Sequence, residues 1–438
     1  MKPGARLASA VEILDQVLNR HRPAAQALAD WGRANRFAGS GDRSAIGNLV
    51  YDALRRRSSL AARMGTDSPR AMTLAAAPSA FGCASDEIIA AADGSKYALS
   101  PLTNEETACL RRSDDDALGA DVPAHIRGDI PAWLAPNFAR VFDDRMAEEG
   151  QALAYRAPVD LRTNTLKAER EKLLEAFAKY EANPTPFAPT GVRIAPSPGP
   201  GRIPKVEADP EHGKGWFEVQ DEGSQIAAAM AGAQPRMQVL DLCAGAGGKT
   251  LAMGAAMQNT GQLYAYDSDK HQLRPIFERM KRAGVRNIQV MSPGNVSELD
   301  ALGARFDVVF VDAPCTGSGV WRRRPDAKWR LKPANLVKRI AEQRDVLALA
   351  QRLTAPGGRL VYVTCSVLAE ENTDQVTWFM ENHPGFALVD YRTRWQETLG
   401  GTPPESADGR DDTLLLTPAR HETDGFFIAT FVRDPASA

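Results

Sequence analysis

The chain has 438 residues, more than a single hydrophobic core usually organises, so two or three domains are expected. Apolar residues make up 43% and charged residues 25%, and a net charge of −2 excludes a globally basic protein, leaving any nucleic-acid contact to local patches. Five cysteines with no Cys-x-x-Cys pair, six scattered histidines and no long apolar run argue against a disulfide framework, a zinc site, a signal peptide or a membrane span, so a soluble, cytoplasmic, metal-free monomer is expected.

Residues 1–130 read as a small all-α domain. Val11, Leu14 and Leu18 recur at helical spacing, Pro23 can open a second helix, and Ile46, Leu49, Val50 and Leu54 form another apolar stripe. Arg55, Arg56 and Arg57 end that stripe, either as a solvated helix terminus favoured by the macrodipole or as an RNA contact. Residues 131–225 read as a mixed α/β module expected to bind RNA, with Trp133 and Phe138 on a helix, a strand at 159–164, a helix at 169–180 and a strand at 216–219. The Pro/Gly-rich stretch 196–204 has no periodicity and reads as a loop.

From 226 to 438 the pattern becomes regular. Strands at about 237–242, 262–266, 288–291, 306–311 and 359–364 alternate with helices at about 250–257, 270–283, 336–353 and 370–382, the signature of a mostly parallel Rossmann-like sheet. Segments 386–389 and 426–432 are expected to add an antiparallel hairpin at its edge. Ligands of such sheets bind beyond the carboxyl ends of the strands, where Asp241, Asp267, Asp312, Cys315 and Cys365 fall.

The run Cys243-Ala244-Gly245-Ala246-Gly247-Gly248-Lys249 follows the first strand of this sheet. Its glycines let the backbone turn tightly before a helix whose first N–H groups are unpaired, and Asp267, about 20 residues on, is placed for ribose hydroxyls. A P-loop reading fails because Cys243 stands where its first glycine is required. A dinucleotide fingerprint fits loosely, and nothing nearby is built for hydride transfer. S-adenosylmethionine is the better candidate.

Cys315 in Asp-Ala-Pro-Cys-Thr-Gly-Ser-Gly (312–319) and Cys365 in Tyr-Val-Thr-Cys-Ser (362–366) each follow an apolar strand. A free cysteine is most often a small buried hydrophobe, the role expected of Cys83 and Cys109. Two at the ligand edge point instead to covalent chemistry on a base. Cytosine C5 is a poor nucleophile until a thiolate adds to C6, and a thiol of pKa ~8.5 is mostly protonated at neutral pH, so a nearby cation such as Lys249 or Arg324 would help. Asp312 is placed to hold the base. The run Arg322, Arg323, Arg324, Lys328 and Arg330, with Trp321 and Trp329, mixes charge and aromatics as RNA contacts do. His421 and Asp424 read as polar caps, with Phe426 and Phe427 split between core and site wall.

Taken together, the motif around Cys315, Arg-Arg-Pro-Asp-Ala-Lys-Trp (323–329), Tyr-Val-Thr-Cys-Ser-Val-Leu-Ala-Glu-Glu-Asn (362–372) and Arg-His-Glu-Thr-Asp-Gly-Phe-Phe (420–427) resemble the Nol/Nop/Sun family of RNA cytosine-5 methyltransferases over about 130–433. The match is nearest to the branch acting on bacterial small-subunit ribosomal RNA, whose N-terminal domain is similar to the antitermination factor NusB. The resemblance implies that Cys365 attacks C6 and that Cys315 assists proton removal and product release. It places the 243–249 loop on the methionine part of S-adenosylmethionine, Asp267 on its ribose and Asp312 beside the base. Pro-Cys alone fits the DNA cytosine methyltransferases equally, in which Cys315 would be the nucleophile; Thr364-Cys365-Ser366 favours the RNA family.

Two departures stand out: Cys-Ala-Gly-Ala-Gly-Gly where the family has Cys-Ala-Ala-Pro-Gly-Gly, and Ser292-Pro293-Gly294-Asn295 where it places an Asp facing the adenine. The expectation is methylation of cytosine C5 in small-subunit rRNA. A tRNA substrate, or a noncatalytic RNA-binding assembly factor, stands as the alternative.

Overall fold

Leu7, Ala10, Leu14 and Val17 lie on one face of the helix Pro3–Leu18 and are buried. They pack with Ile46, Leu49, Val50 and Leu54 of Ser40–Arg55 and with Met72 to Ala77 of Pro69–Phe81 in one helical core. The computed structural model describes all residues except 113–117, 198, 200, 202–203 and 437–438. Part of the 196–204 stretch, expected to be a loop, lies outside the described residues. The chain forms two compact units: Met1–Ala157 with Pro196–Ile203 and Trp321–Leu331, and Pro158–Ala195 with Pro204–Val320 and Lys332–Ala438. No helix among the described residues is long and apolar enough to cross a membrane.

Within the first unit, the segment after the Cys315 motif is a packing element. Trp321 stacks on Phe138 with centroids 5.6 Å apart. Lys328, 1% exposed, donates to the Arg55 carbonyl at 2.8 Å, and the Trp329 indole N–H donates to the Leu54 carbonyl. Burial outweighs the pull of Asp129 and lowers the Lys328 ammonium to about 8. Two expected RNA contacts are thereby corrected: Arg322 and Lys328 are buried, whereas Arg323, Arg324 and Arg330 are exposed. Arg55 is likewise buried, donating to Asp52 and to the Arg322 carbonyl, so it is neither a solvated terminus nor a phosphate ligand.

The second unit holds two sheets. The smaller is antiparallel in the order β2-β3-β1-β4, from β1 (Val159–Thr163), β2 (Asn183–Pro184), β3 (Gly191–Ile194) and β4 (Phe217–Val219). Leu161, Val192, Ile194 and Phe217 bury one face against Leu173 and Phe177. β2 and β3 had not been expected, because the Pro/Gly-rich setting masks a short edge pairing.

The larger sheet contains β5 (Gln238–Asp241), β6 (Gln262–Ala265), β7 (Ile288–Val290), β8 (Phe306–Asp312), β9 (Thr354–Thr364), β10 (Phe386–Val389), β11 (Leu414–Leu416) and β12 (Phe426–Arg433). Its order is β10-β12-β9-β8-β5-β6-β7, with β11 also paired to β12. The pairs β5/β6, β5/β8, β6/β7 and β8/β9 are parallel. This is a Rossmann-like fold with eight strands rather than the seven expected. β10 and β12 do not form a simple hairpin: β12 lies between β9 and β10, antiparallel to both, and β11 intervenes in sequence. The strand order reverses beside β5, placing the β5 and β8 ends at the crevice where such sheets bind ligands.

Candidate active site at the strand ends

Val239, Leu240, Val308, Val309 and Phe310 are fully buried, which fixes the central strands and hence the loops that leave them. At the end of β5, Asp241 is buried and accepts from the Thr250 hydroxyl at 2.6 Å, while its other oxygen has no partner among the described residues. Burial, with Asp312 and Asp267 nearby, raises this carboxyl to about 7, although the Thr250 bond pulls the other way.

The loop then turns through Gly245 (φ 50°) and Gly247 (φ 83°) into the helix Gly248–Ala256. At Gly247 a side chain would be strained by φ and would collide with Ile276 at 2.5 Å. Asp267 closes the loop from the second strand: one oxygen accepts from Gly245 N–H at 2.8 Å and the other from Asp269 N–H at 2.8 Å. Each oxygen retains a lone pair. The smaller sheet braces the same turn, since Arg279 donates to the Ala246 carbonyl at 2.7 Å and to Glu218 of β4 at 2.9 Å. Cys243 is partly buried, and burial beside three carboxylates raises its thiol well above the usual range, so it stays neutral.

Asn295 donates to Glu298 at 2.9 Å and accepts from the Ser297 hydroxyl at 2.6 Å, while Ser292 also donates to Glu298 at 2.9 Å. Both polar ends of Asn295 are therefore engaged within the loop.

Lys249, on the first turn of the glycine-loop helix, donates to Asp312 Oδ2 at 2.6 Å and lies 5.2 Å from the Phe426 ring centroid. Burial alone would lower the Lys249 ammonium, but Asp312 outweighs it and raises it, so this is a cation at neutral pH. Cys315 and Cys365 meet with their sulfurs 3.3 Å apart, both partly buried. The contact to Cys365 and burial raise the Cys315 thiol well above its ordinary value. Cys365 in turn acts electrostatically on Lys249.

Backbone bonds lock the two cysteine loops together. Gly319 N–H donates to the Cys365 carbonyl at 3.0 Å, and Gly425 N–H to the Gly319 carbonyl at 2.8 Å. A Cβ on Gly319 would stand 2.2 Å from the Gly425 carbonyl oxygen, so the crossing requires glycine. Phe426 thereby reaches Lys249, while its neighbour Phe427 packs on Tyr362 with centroids 6.4 Å apart. His421 accepts from Thr417 N–H, and Asp424 N–H donates to Asp221, both at 3.0 Å.

Three residues at this site had not been singled out: Thr316, Gln343 and Glu371. Glu371 lay inside a quoted motif, and Gln343 is a polar residue on the buried face of Pro333–Leu353, between Leu336 and Leu347.

The family model described as 16S rRNA methyltransferase RsmB/F matches residues 228–432, and the RsmF/B-like ferredoxin-like domain matches 130–198. Ribosomal RNA small subunit methyltransferase B of Salmonella arizonae is 31% identical over 337 residues, 76% of this chain and 73% of that protein. The protein of the same name from Sodalis glossinidius is 29% identical over 306 residues, covering 69% of this chain and 66% of its own length. The structure of NSun6 from Pyrococcus horikoshii with SFG shares the fold, with a TM-score of 0.61 and 22% identity over 70% of this chain and 99% of that one. The chain thus belongs to the RsmB/F family of 16S rRNA methyltransferases.

Proposed function

We propose that the protein methylates C5 of a cytosine in small-subunit ribosomal RNA with S-adenosylmethionine as donor. The observation that carries this reading is the pair of sulfurs 3.3 Å apart beside the Lys249–Asp312 ion pair, at the carboxyl edge of the sheet.

The 243–249 loop and Asp267 fit the cofactor: a glycine turn, a helix start with free N–H groups, and a carboxylate with a lone pair left on each oxygen. Bound there, it supplies an electrophilic methyl group. Asn295 keeps one N–H and one oxygen lone pair beyond its loop bonds, so it or a backbone carbonyl can substitute for the missing Asp at the adenine.

The target base must leave its stack to reach the thiols. Cys365 forms the S–C6 bond as thiolate, and the electron pair displaced toward C5 makes that carbon nucleophilic. Asp312, with one oxygen on Lys249, offers the other to the amino edge of the base. C5 then bonds to the methyl group, a base takes the C5 proton, the C5–H pair restores the C5–C6 double bond and the S–C6 pair returns to Cys365, with Cys315 assisting this release. Exposed Arg323, Arg324 and Arg330 supply phosphate contacts.

Incubation with methyl-labelled S-adenosylmethionine and total RNA should place label in 5-methylcytidine, and bisulfite sequencing of RNA from cells with and without the protein should locate it. Cys365→Ala should abolish turnover and adduct alike, whereas Cys315→Ala should leave a denaturation-resistant RNA complex. Interchanged outcomes would reverse the two roles, and cofactor binding without label in any RNA class would favour an assembly factor.

A further inference from the structure

Glu371 is 0% exposed. It accepts from Thr316 N–H at 2.8 Å and from the Thr316 hydroxyl at 2.5 Å. Thr316 follows Cys315 directly, and Glu371 lies six residues after Cys365. Gln343 completes the link by donating to Glu371 Oε1 at 3.1 Å and to the Pro314 carbonyl, just before Cys315, at 2.9 Å. The Tyr362 hydroxyl, on the strand that carries Cys365, donates to the Glu371 carbonyl at 2.6 Å.

We infer that Glu371 is a positioning residue for Cys315, holding Pro314 to Thr316 so that the second thiol stays against the first through product release. This rests on the proposed cytosine chemistry. Glu371 fixes the Thr316 flank of Cys315 directly and the Pro314 flank through Gln343. A buried carboxylate is costly unless its oxygens are satisfied. Here they are satisfied by Thr316 beside Cys315 and by Gln343, and the like charge of Glu371 also helps keep Cys315 a neutral thiol.

The test compares adduct formation with adduct release in the full-length protein. Glu371→Ala should form the RNA adduct in a single turnover as the parent does but release it slowly, so that steady-state turnover falls by about 100-fold and adduct accumulates on denaturing gels. KM for RNA and for S-adenosylmethionine should stay at parental values. Glu371→Gln should restore turnover to within about threefold of the parent, because its amide oxygen still accepts from Thr316 N–H. The same amide oxygen keeps the bond from Gln343, and the new NH2 group, in place of Oε2, can donate to the Thr316 hydroxyl oxygen.

Should Glu371→Ala fail to fold, Thr316→Val, which deletes one hydroxyl bond, should show the same adduct accumulation with a loss of about tenfold. Equal loss of formation and release in a folded Glu371→Ala variant would overturn the positioning role, as would identical defects in the Ala and Gln variants. If Cys315→Ala itself gives no adduct, the cytosine reading fails and takes this inference with it; adduct there but none with Glu371→Ala or Thr316→Val sinks the inference alone.

Discussion

Single carboxylates decide much of the electrostatics of this site. Asp241 sits beneath the glycine loop with one oxygen on Thr250 and the other unpartnered among the described residues, and burial raises it to about 7. The folded state therefore binds this proton more tightly than the unfolded chain, whose ordinary value is 3.8. Linkage then requires stability from this group to fall as pH rises from about 4 to about 7, and to level off above that. Asp241→Asn keeps the acceptor for Thr250 without the charge. Its melting temperature relative to the parent should rise between pH 5 and pH 7.5, as scanning calorimetry can follow; a constant difference would refute the assignment. Asp312 is the contrasting case, because its half-exposed position and Lys249 partner provide a charge-assisted bond at 2.6 Å.

At the scale of elements, β12 and the loop before it do more than close an edge. By inserting between β9 and β10 it brings Gly425 across Gly319 and sets Phe426 against Lys249. A methyl group at either glycine has no room: from Gly425 it would meet Gly319 Cα at 2.6 Å and Val367 at 2.7 Å. Gly319→Ala and Gly425→Ala should each cost about 1–3 kcal/mol of stability in urea unfolding, the usual range for overpacking. Methyl transfer should fall further than folding does, since the displaced segment carries Cys315. An alanine variant with parental activity would show that the crossing has slack. Pro275 shapes another element, dividing the expected 270–283 helix into Lys270–Leu273 and Ile276–Ala283.

Over the whole molecule, the chain leaves the second unit after Val320 and returns at Lys332, and the intervening segment is part of the helical unit. Lys328 anchors it there with a buried ammonium on the Arg55 carbonyl. Lys328→Ala removes packed methylenes and leaves that carbonyl unpaired, so it should destabilise the helical unit by about 2–4 kcal/mol in denaturant unfolding. Arg324→Ala should leave stability unchanged while weakening RNA binding and reducing the salt dependence of affinity by about one unit of slope. A stable Lys328→Ala protein with lost RNA affinity would restore that lysine to the RNA-contact role.

The parallel strands were legible in the sequence because buried β-rich runs punctuated by glycine and helical stripes have a period that local chemistry fixes. The placement of Cys315, Cys365, Asp267 and Asp312 was legible because each follows such a run at the edge where a sheet's ligands bind, and Lys249 because it follows the glycine loop. Sequence alone did not show the insertion of β12, the burial of Arg322 and Lys328 or the bridge from Glu371 to Thr316. Those depend on which distant segments share a surface, and a charged side chain looks the same in a string of letters whether it meets water or a buried carbonyl. Local periodicity thus determined the elements and the edge that carries the chemistry. Long-range packing decided which polar groups face that edge and which ones hold the structure behind it.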